Sequence, residues 1–127
     1  MIDRIQVTAV FVNDQEAAKH FFMDKVGLKE RVDMQMGPDF RWLEVGPEGG
    51  EASLSISKAF DDKTQAKVGG MTGVIFNTTD IETDVARMKD AGVNFSQEPT
   101  VQPWGGTEAR FNDPDGNEFS LVQRGEG

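Results

Sequence analysis

Trp42 and Glu44 alternate along one run of the chain and Ser53, Ser55 and Ser57 along another, so an extended backbone puts an indole, a carboxylate and three hydroxyls on one face. The indole can stack on a planar ligand. The carboxylate can hold a cationic substituent or act as a base, and the serines, having no base beside them, are hydrogen-bonding groups or polar residues of a solvated face. Closer to the C-terminus, Arg110 and Ser120 stand opposite each other in a similar pair of runs. Arg110 either pairs with Glu44 across a cavity or holds a charged substituent. Trp104 lies between Pro103 and paired glycines, where it either covers a binding site or packs against a sheet edge. Asp113 and Asp115 belong to a turn and are read as structural. His20 stands on a helix beside Phe21 and Phe22 and is read as a helix-surface residue.

The remaining chemistry is bounded by absences. With no cysteine the chain has no disulfide, thiolate nucleophile, zinc finger or iron–sulfur cluster, with no tyrosine it has no phenol, and with one histidine it cannot supply two imidazoles to a metal.

These side chains need elements to position them, and the elements come twice. Thr8-Ala9-Val10-Phe11-Val12-Asn13 is echoed by Thr72-Gly73-Val74-Ile75-Phe76-Asn77, an offset of 64, and Val26-Gly27-Leu28 by Ala91-Gly92-Val93, an offset of 65. Each copy opens with a strand-like run, Ile5 to Val12 and Gly73 to Thr78. A helix follows in each. Asn13 with Glu16 and Thr79 with Glu82 are the expected capping pairs, Ala17/Phe21, Ala18/Phe22 and Ile81/Val85/Met88 the apolar stripes, and Gly27 and Gly92 the left-handed stops. Each copy closes with a hairpin. Phe40 to Val45 pairs with Ala52 to Ser57 around a glycine-rich loop, and setting Val45 opposite Ala52 puts Leu43, Val45, Ala52, Leu54 and Ile56 inside. Thr107 to Phe111 pairs with Glu118 to Gln123 around Asp113-Pro114-Asp115-Gly116-Asn117, burying Ala109, Phe111, Phe119 and Leu121. Lys58 to Gly70 reads as a connector and Ser96 to Gly106 as a second loop.

The 127 residues suit one domain, with residues 1–57 and 71–124 as modules and 58–70 as linker. Lys plus Arg count 13 against 22 Asp plus Glu, a net charge of −9 with no basic run, which argues against nucleic acid and favours cationic ligands. The apolar runs are too short to span a bilayer and no leader-like block opens the sequence, so a soluble, cytoplasmic protein without a membrane partner is expected.

A strand–helix–hairpin unit written twice, with Val26-Gly27-Leu28 closing the first helix and Asp113-Pro114-Asp115-Gly116-Asn117 before the last strand, resembles the vicinal oxygen chelate superfamily over essentially the whole chain. That group includes glyoxalase I, extradiol dioxygenases, fosfomycin-resistance enzymes and bleomycin-resistance proteins. The resemblance implies an α+β fold of two tandem βαβββ modules, curved mixed sheets with helices on one face, a ligand cavity and a homodimer. Its metal-dependent members take His and Glu ligands from the first and last strands of each module. Carried onto this sequence, those positions are Val7, Ser55, Gly73 and Ser120, and their neighbours Gln6, Thr8, Leu54, Ile56, Thr72, Val74, Phe119 and Leu121 include no imidazole or carboxylate.

No metal and no other cofactor is therefore expected. The implied function is that of the bleomycin-resistance-like branch, a metal-independent protein sequestering an aromatic or cationic small molecule, with Trp42, Glu44, Ser55, Trp104, Arg110 and Ser120 lining the site. The alternative is a lyase or dioxygenase-type enzyme of the same superfamily with a non-standard site, for which Glu44 is the candidate base.

Overall fold

The computed structural model describes residues 1–125 and divides into two units, one ending at Val68 and one beginning at Gly69. In the first, β1 (Val7–Val12), α1 (Gln15–His20), β2 (Lys29–Gln35), β3 (Arg41–Gly46) and β4 (Ser53–Lys58) make a mixed sheet ordered β1-β4-β3-β2, with β1 and β4 parallel. In the second, β5 (Gly70–Asn77), α3 (Ile81–Asp90), β6 (Asn94–Val101), β7 (Thr107–Asn112) and β8 (Asn117–Gln123) repeat that plan as β5-β8-β7-β6, with β5 and β8 parallel. The expected α+β fold of two βαβββ modules is what the chain adopts. The connector carries one short helix, α2 (Asp62–Gln65), closed by a capping box between Asp61 and Thr64.

Helix α1 continues into π-helical turns over Phe21–Val26, which close when the Gly27 and Leu28 amides both donate to the Phe22 carbonyl. Gly27 takes a φ of 97°, the left-handed stop its sequence position suggests. Ala18, Phe21 and Phe22 turn inward with Val10, Val12, Leu43, Val45 and Ile56. Gln15 ties the helix to the sheet by donating to the carbonyls of Arg41 and Ile56 at 3.0 and 2.8 Å. In the second unit Ile81, Val85 and Met88 are the buried stripe of α3, and Phe76, Phe95, Phe111 and Phe119 form a continuous ring cluster with centroids 5.5–6.2 Å apart.

Several sequence expectations are corrected. The helix caps are Asp14 and Asp80, one residue after Asn13 and Thr79: Asp14 accepts from the Glu16 and Ala17 amides, and Asp80 from the Thr83 amide and hydroxyl. A carboxylate satisfies the open amides and also meets the positive end of the helix dipole. The first hairpin pairs Val45 with Leu54 and Glu44 with Ser55, two residues away from the expected register. A two-residue slide preserves side-chain parity, so Leu43, Val45, Leu54 and Ile56 are buried as expected, while Ala52 is exposed. Residues 94–101, expected to be mostly loop, form edge strand β6. Pro99 sits there at a register irregularity between Gln97 and Thr100, where no ladder hydrogen bond is lost. Strand β1 starts at Val7 rather than Ile5, and β5 at Gly70 rather than Gly73. Equivalent ladder rows, Ala9–Ser55 and Ile75–Ser120, set the first strands of the two units 66 residues apart, not 64, again a shift that keeps parity.

Candidate functional site

In the first unit the ladder brings Ala9, Ser55, Glu44 and Val32 into one transverse row. Two residues back along β3, the Trp42 indole N–H donates to Glu44 Oε2 at 2.6 Å, and the Phe40 ring stacks on Trp42 with centroids 6.2 Å apart and planes 18° from parallel. Trp42, Glu44 and Ser55 are thus brought together as the alternation implied. This polar face is not solvated: Ser55 is 1 % and Glu44 8 % exposed. Ser55 and Ser57 share a hydroxyl hydrogen bond at 3.0 Å, and Ser53 accepts from Arg31 Nη1 at 2.9 Å. Glu44 is a nearly buried carboxylate whose hydrogen-bond donor is a neutral indole. A carboxylate in that setting gains most from a positive group, because no cation among the described residues is paired with it.

The equivalent row of the second unit holds Ile75, Ser120, Arg110 and Gln97. Arg110 and Ser120 pair directly, as expected from the sequence. Glu108 and Glu118 flank the guanidinium at 3.7 Å on either side, close enough for ionic attraction and too far for a hydrogen bond. Next to this row opens a cleft of about 720 Å³ lined by Ile75, Asn77, Trp104, Glu108, Val122, Arg124 and Gly125, a volume within the range of small-molecule sites. Trp104 sits in the turn between β6 and β7, which Gln102 closes with hydrogen bonds to Gly105 and Gly106. A Cβ on Gly106 would collide with the Trp104 ring, so the glycine is what lets the indole fold over its own turn. With the ring 58 % exposed on the cleft wall, Trp104 lines a cleft instead of filling the core.

Ile75, Asn77, Glu108, Val122 and Arg124 were not singled out in the sequence. The signal was there for Glu108, Val122 and Arg124, which share side-chain parity with Arg110 and Ser120. Phe40 shares the parity of Trp42 in the same way. Asp113 has the structural role expected of it, accepting from the Asp115 amide and from the Asn117 amide and side chain. Burial pushes its carboxyl upward, against the pull of the Asn117 hydrogen bonds. His20 is exposed and lies 2.9 Å from Asp24.

The positions that would hold a divalent ion do not suit one. Val7 and Gly73 bring no donor, and Gly73, at φ 78°, occupies the irregularity between Met71 and Ile75 in the β5 ladder, a conformation that itself favours glycine. One carboxylate, Glu44, stands across from Ser55. What stands across from Ser120 is a guanidinium, which repels a cation. Among the described residues no three His, Cys, Asp or Glu side chains converge on a common point. Nor, among them, is any helix long and apolar enough to cross a membrane.

Relatives match this chain along nearly their whole length. The protein YetH of Bacillus subtilis strain 168, itself uncharacterised, is 40 % identical, the match covering 97 % of this chain and 100 % of that one. A glyoxalase/bleomycin resistance protein/dioxygenase superfamily member from Sphaerobacter thermophilus DSM 20745 superposes with a TM-score of 0.90 at 32 % identity, covering 97 % and 98 % of the two chains. TnmS3, described as an antibiotic binding protein from Streptomyces sp. CB03234, superposes at 0.83 with 36 % identity and 97 % of both chains covered. The family model for these folds matches residues 4–121, and the chain belongs to the Glyoxalase/Bleomycin resistance protein/Dioxygenase superfamily.

Proposed function

We propose that this chain is a metal-independent binding protein that sequesters an aromatic or cationic small molecule, as a cytoplasmic homodimer. The observation carrying this reading is the second unit's cleft, a concave surface with an indole and two aliphatic side chains on its walls and a few polar groups beside them. Glu44 beneath Trp42 and Phe40 adds a second aromatic-and-carboxylate surface suited to a cation. The antibiotic-binding description of TnmS3 points the same way.

The test uses protein stripped with chelator and verified metal-free, scanned by thermal shift against naphthalene-based probes bearing cationic, anionic, neutral-carbonyl or no polar substituents. Binding to the native state raises apparent stability by about 2.7 kcal/mol when the probe stands at a hundred times its Kd. A rise with at least one probe, the probe being recovered unchanged, supports a binder. No rise with any probe, or one that needs added zinc or nickel, overturns it. Turnover of a probe that is lost in Glu44→Gln would instead establish the enzymatic alternative.

A further inference from the structure

The walls of the second unit's cleft carry one charge of each sign, and the two do not meet. Glu108 stands opposite Val122 on the β7–β8 ladder, and Arg124 follows Val122 by two residues on the same face, so the pair are diagonal neighbours about 7–8 Å apart. Both line the cleft. Side chains this long can close such a gap, yet no ion pair joins them. Glu108 lies instead 3.7 Å from Arg110, short of a hydrogen bond; its carboxylate oxygens accept none among the described residues, and its side chain is 16 % exposed. The Arg124 guanidinium is exposed and has no ion pair, hydrogen bond or ring contact among the described residues. The Trp104 ring is close to both. It occupies the place of a Cβ on Gly106, which shares the face of Glu108 and stands across from Arg124, one step beyond the Thr107–Gln123 pair. The two strands stay adjacent past that pair, because a Cβ on Gly125 would strike the Gly105 carbonyl. Trp104 itself has no ring or cation contact among the described residues, so its face is open to the cleft.

From this arrangement we infer that the cleft takes an aromatic zwitterion, of which an aromatic α-amino acid is the simplest kind: its ammonium donates to Glu108, its carboxylate accepts from Arg124, and its ring lies against Trp104, Ile75 and Val122. The inference deepens the binding reading above and rests on it. A ligand with one charge satisfies one wall and strips water from the other without replacing it, a cost that a ligand with both charges avoids. The orientation is fixed by donor chemistry, since a guanidinium only donates and an ionised carboxylate only accepts. Glu108 keeps its capacity to accept because Arg110 attracts it from beyond hydrogen-bonding distance. Asn77, across Val122 from Glu108, is neutral and leaves the balance of charge unchanged. The chain's net charge of −9 also sets a negative field against an aromatic anion, which a zwitterion, neutral as a whole, does not meet.

Four probes on one ring system form a closed set: 3-(1-naphthyl)alanine with both charges, 3-(1-naphthyl)propanoate with the carboxylate alone, 2-(1-naphthyl)ethylammonium with the ammonium alone, and 1-ethylnaphthalene with neither. Each is titrated into the intact protein by calorimetry. The amino acid is expected to bind about tenfold more tightly than either singly charged probe, the return of roughly one charge-assisted hydrogen bond in each comparison. Arg124→Gln should abolish its advantage over the ammonium probe and keep its advantage over the propanoate, and Glu108→Gln should do the reverse. Arg124 is exposed, so its variant serves alone if Glu108→Gln does not fold. Equal affinity of the amino acid and either singly charged probe for the wild-type protein, or an advantage that survives the substitutions, overturns the zwitterion site while leaving the binding function standing. Failure of all four to bind takes down both.

Discussion

The two units have the same strand order and the same helix placement, yet the matching row across each sheet is chemically inverted. Where the first has Ser55 beside a nearly buried carboxylate, Glu44, the second has Ser120 beside a guanidinium, Arg110. The polar partners differ as well. Glu44 accepts from Trp42, two residues back; at the corresponding place before Arg110 stands Glu108, which attracts Arg110 from beyond hydrogen-bonding distance. A repeated backbone thus holds one row that is closed by its own side chains and one that is left open. The difference teaches that duplication conserves what the ladder needs, which is parity and inward apolar residues, and leaves the outward row free to diverge. The units also stabilise themselves differently. The second has a cluster of four phenylalanines, whereas the first joins Lys19, Asp33, Arg41, Glu16 and Glu30 into a charged network over the β2–β3 end of its sheet.

The core contrast gives the largest expected effect. Phe111 touches Phe76, Phe95 and Phe119 and is fully buried. Phe111→Ala should therefore cost about 3–5 kcal/mol in urea denaturation, since the cavity lies where rings pack from three sides. A cost below about 2 kcal/mol would mean that the cluster does not carry the second unit's stability.

Trp42→Phe tests the closed row. Removing the indole N–H leaves a nearly buried carboxylate without its donor, a loss of about 1–3 kcal/mol in urea denaturation. The first unit should also be the acid-sensitive one. Hydrogen bonds from Arg41 and Lys19 hold the Asp33 carboxyl well below its ordinary range. A depressed folded value contributes stability that is present above the unfolded pKa of about 4 and is lost as pH falls through the folded one. Asp33→Asn should cost about 1–2 kcal/mol at pH 7, a modest figure because the network is partly solvated, and should flatten the loss of stability between pH 4 and 2. An unchanged acid slope would assign that lability elsewhere.

What the sequence disclosed follows the same division between ladder and row. The Asp113–Asn117 turn pinned the β7–β8 register because its hydrogen bonds are local, within four residues. The first hairpin slipped by two because its loop, beyond the one local bond from the Gly50 amide to the Pro47 carbonyl, is held from outside: Arg31, on another strand, donates to the carbonyls of Pro47, Gly50 and Ala52 and lies where a Cβ on Gly46 or Gly50 would sit. No spacing rule reveals a clamp from β2. Strand β6 was hidden because its sequence is polar and contains proline, both of which an edge strand tolerates. At the site, parity alone was enough to place Trp42 with Glu44 and Arg110 with Ser120. The pairing of Arg110 with Glu108 and Glu118 was beyond it, because that depends on side-chain distances that type and spacing do not fix.

The capping correction carries a smaller consequence. Asp80 accepts from both the amide and the hydroxyl of Thr83, so Asp80→Ala should lower the midpoint of thermal or urea denaturation, whereas Thr79→Ala, at the position first expected to cap, should leave it nearly unchanged. Equal losses would mean that the cap is shared.

The smallest effect is the sharpest test of the inverted rows. Ser55 and Ser120 occupy equivalent ladder positions, but the Ser55 hydroxyl is buried and bonded to Ser57, while the Ser120 hydroxyl makes no hydrogen bond among the described residues. Deleting a satisfied buried hydroxyl strands its neighbour, so Ser55→Ala should cost about 1 kcal/mol. Deleting an open one strands nothing, and Ser120→Ala should change unliganded stability by less than about 0.5 kcal/mol. A Ser120→Ala loss in the free protein as large as that of Ser55→Ala would mean that the second row is closed too, and the contrast between the units would reduce to the sign of one side chain.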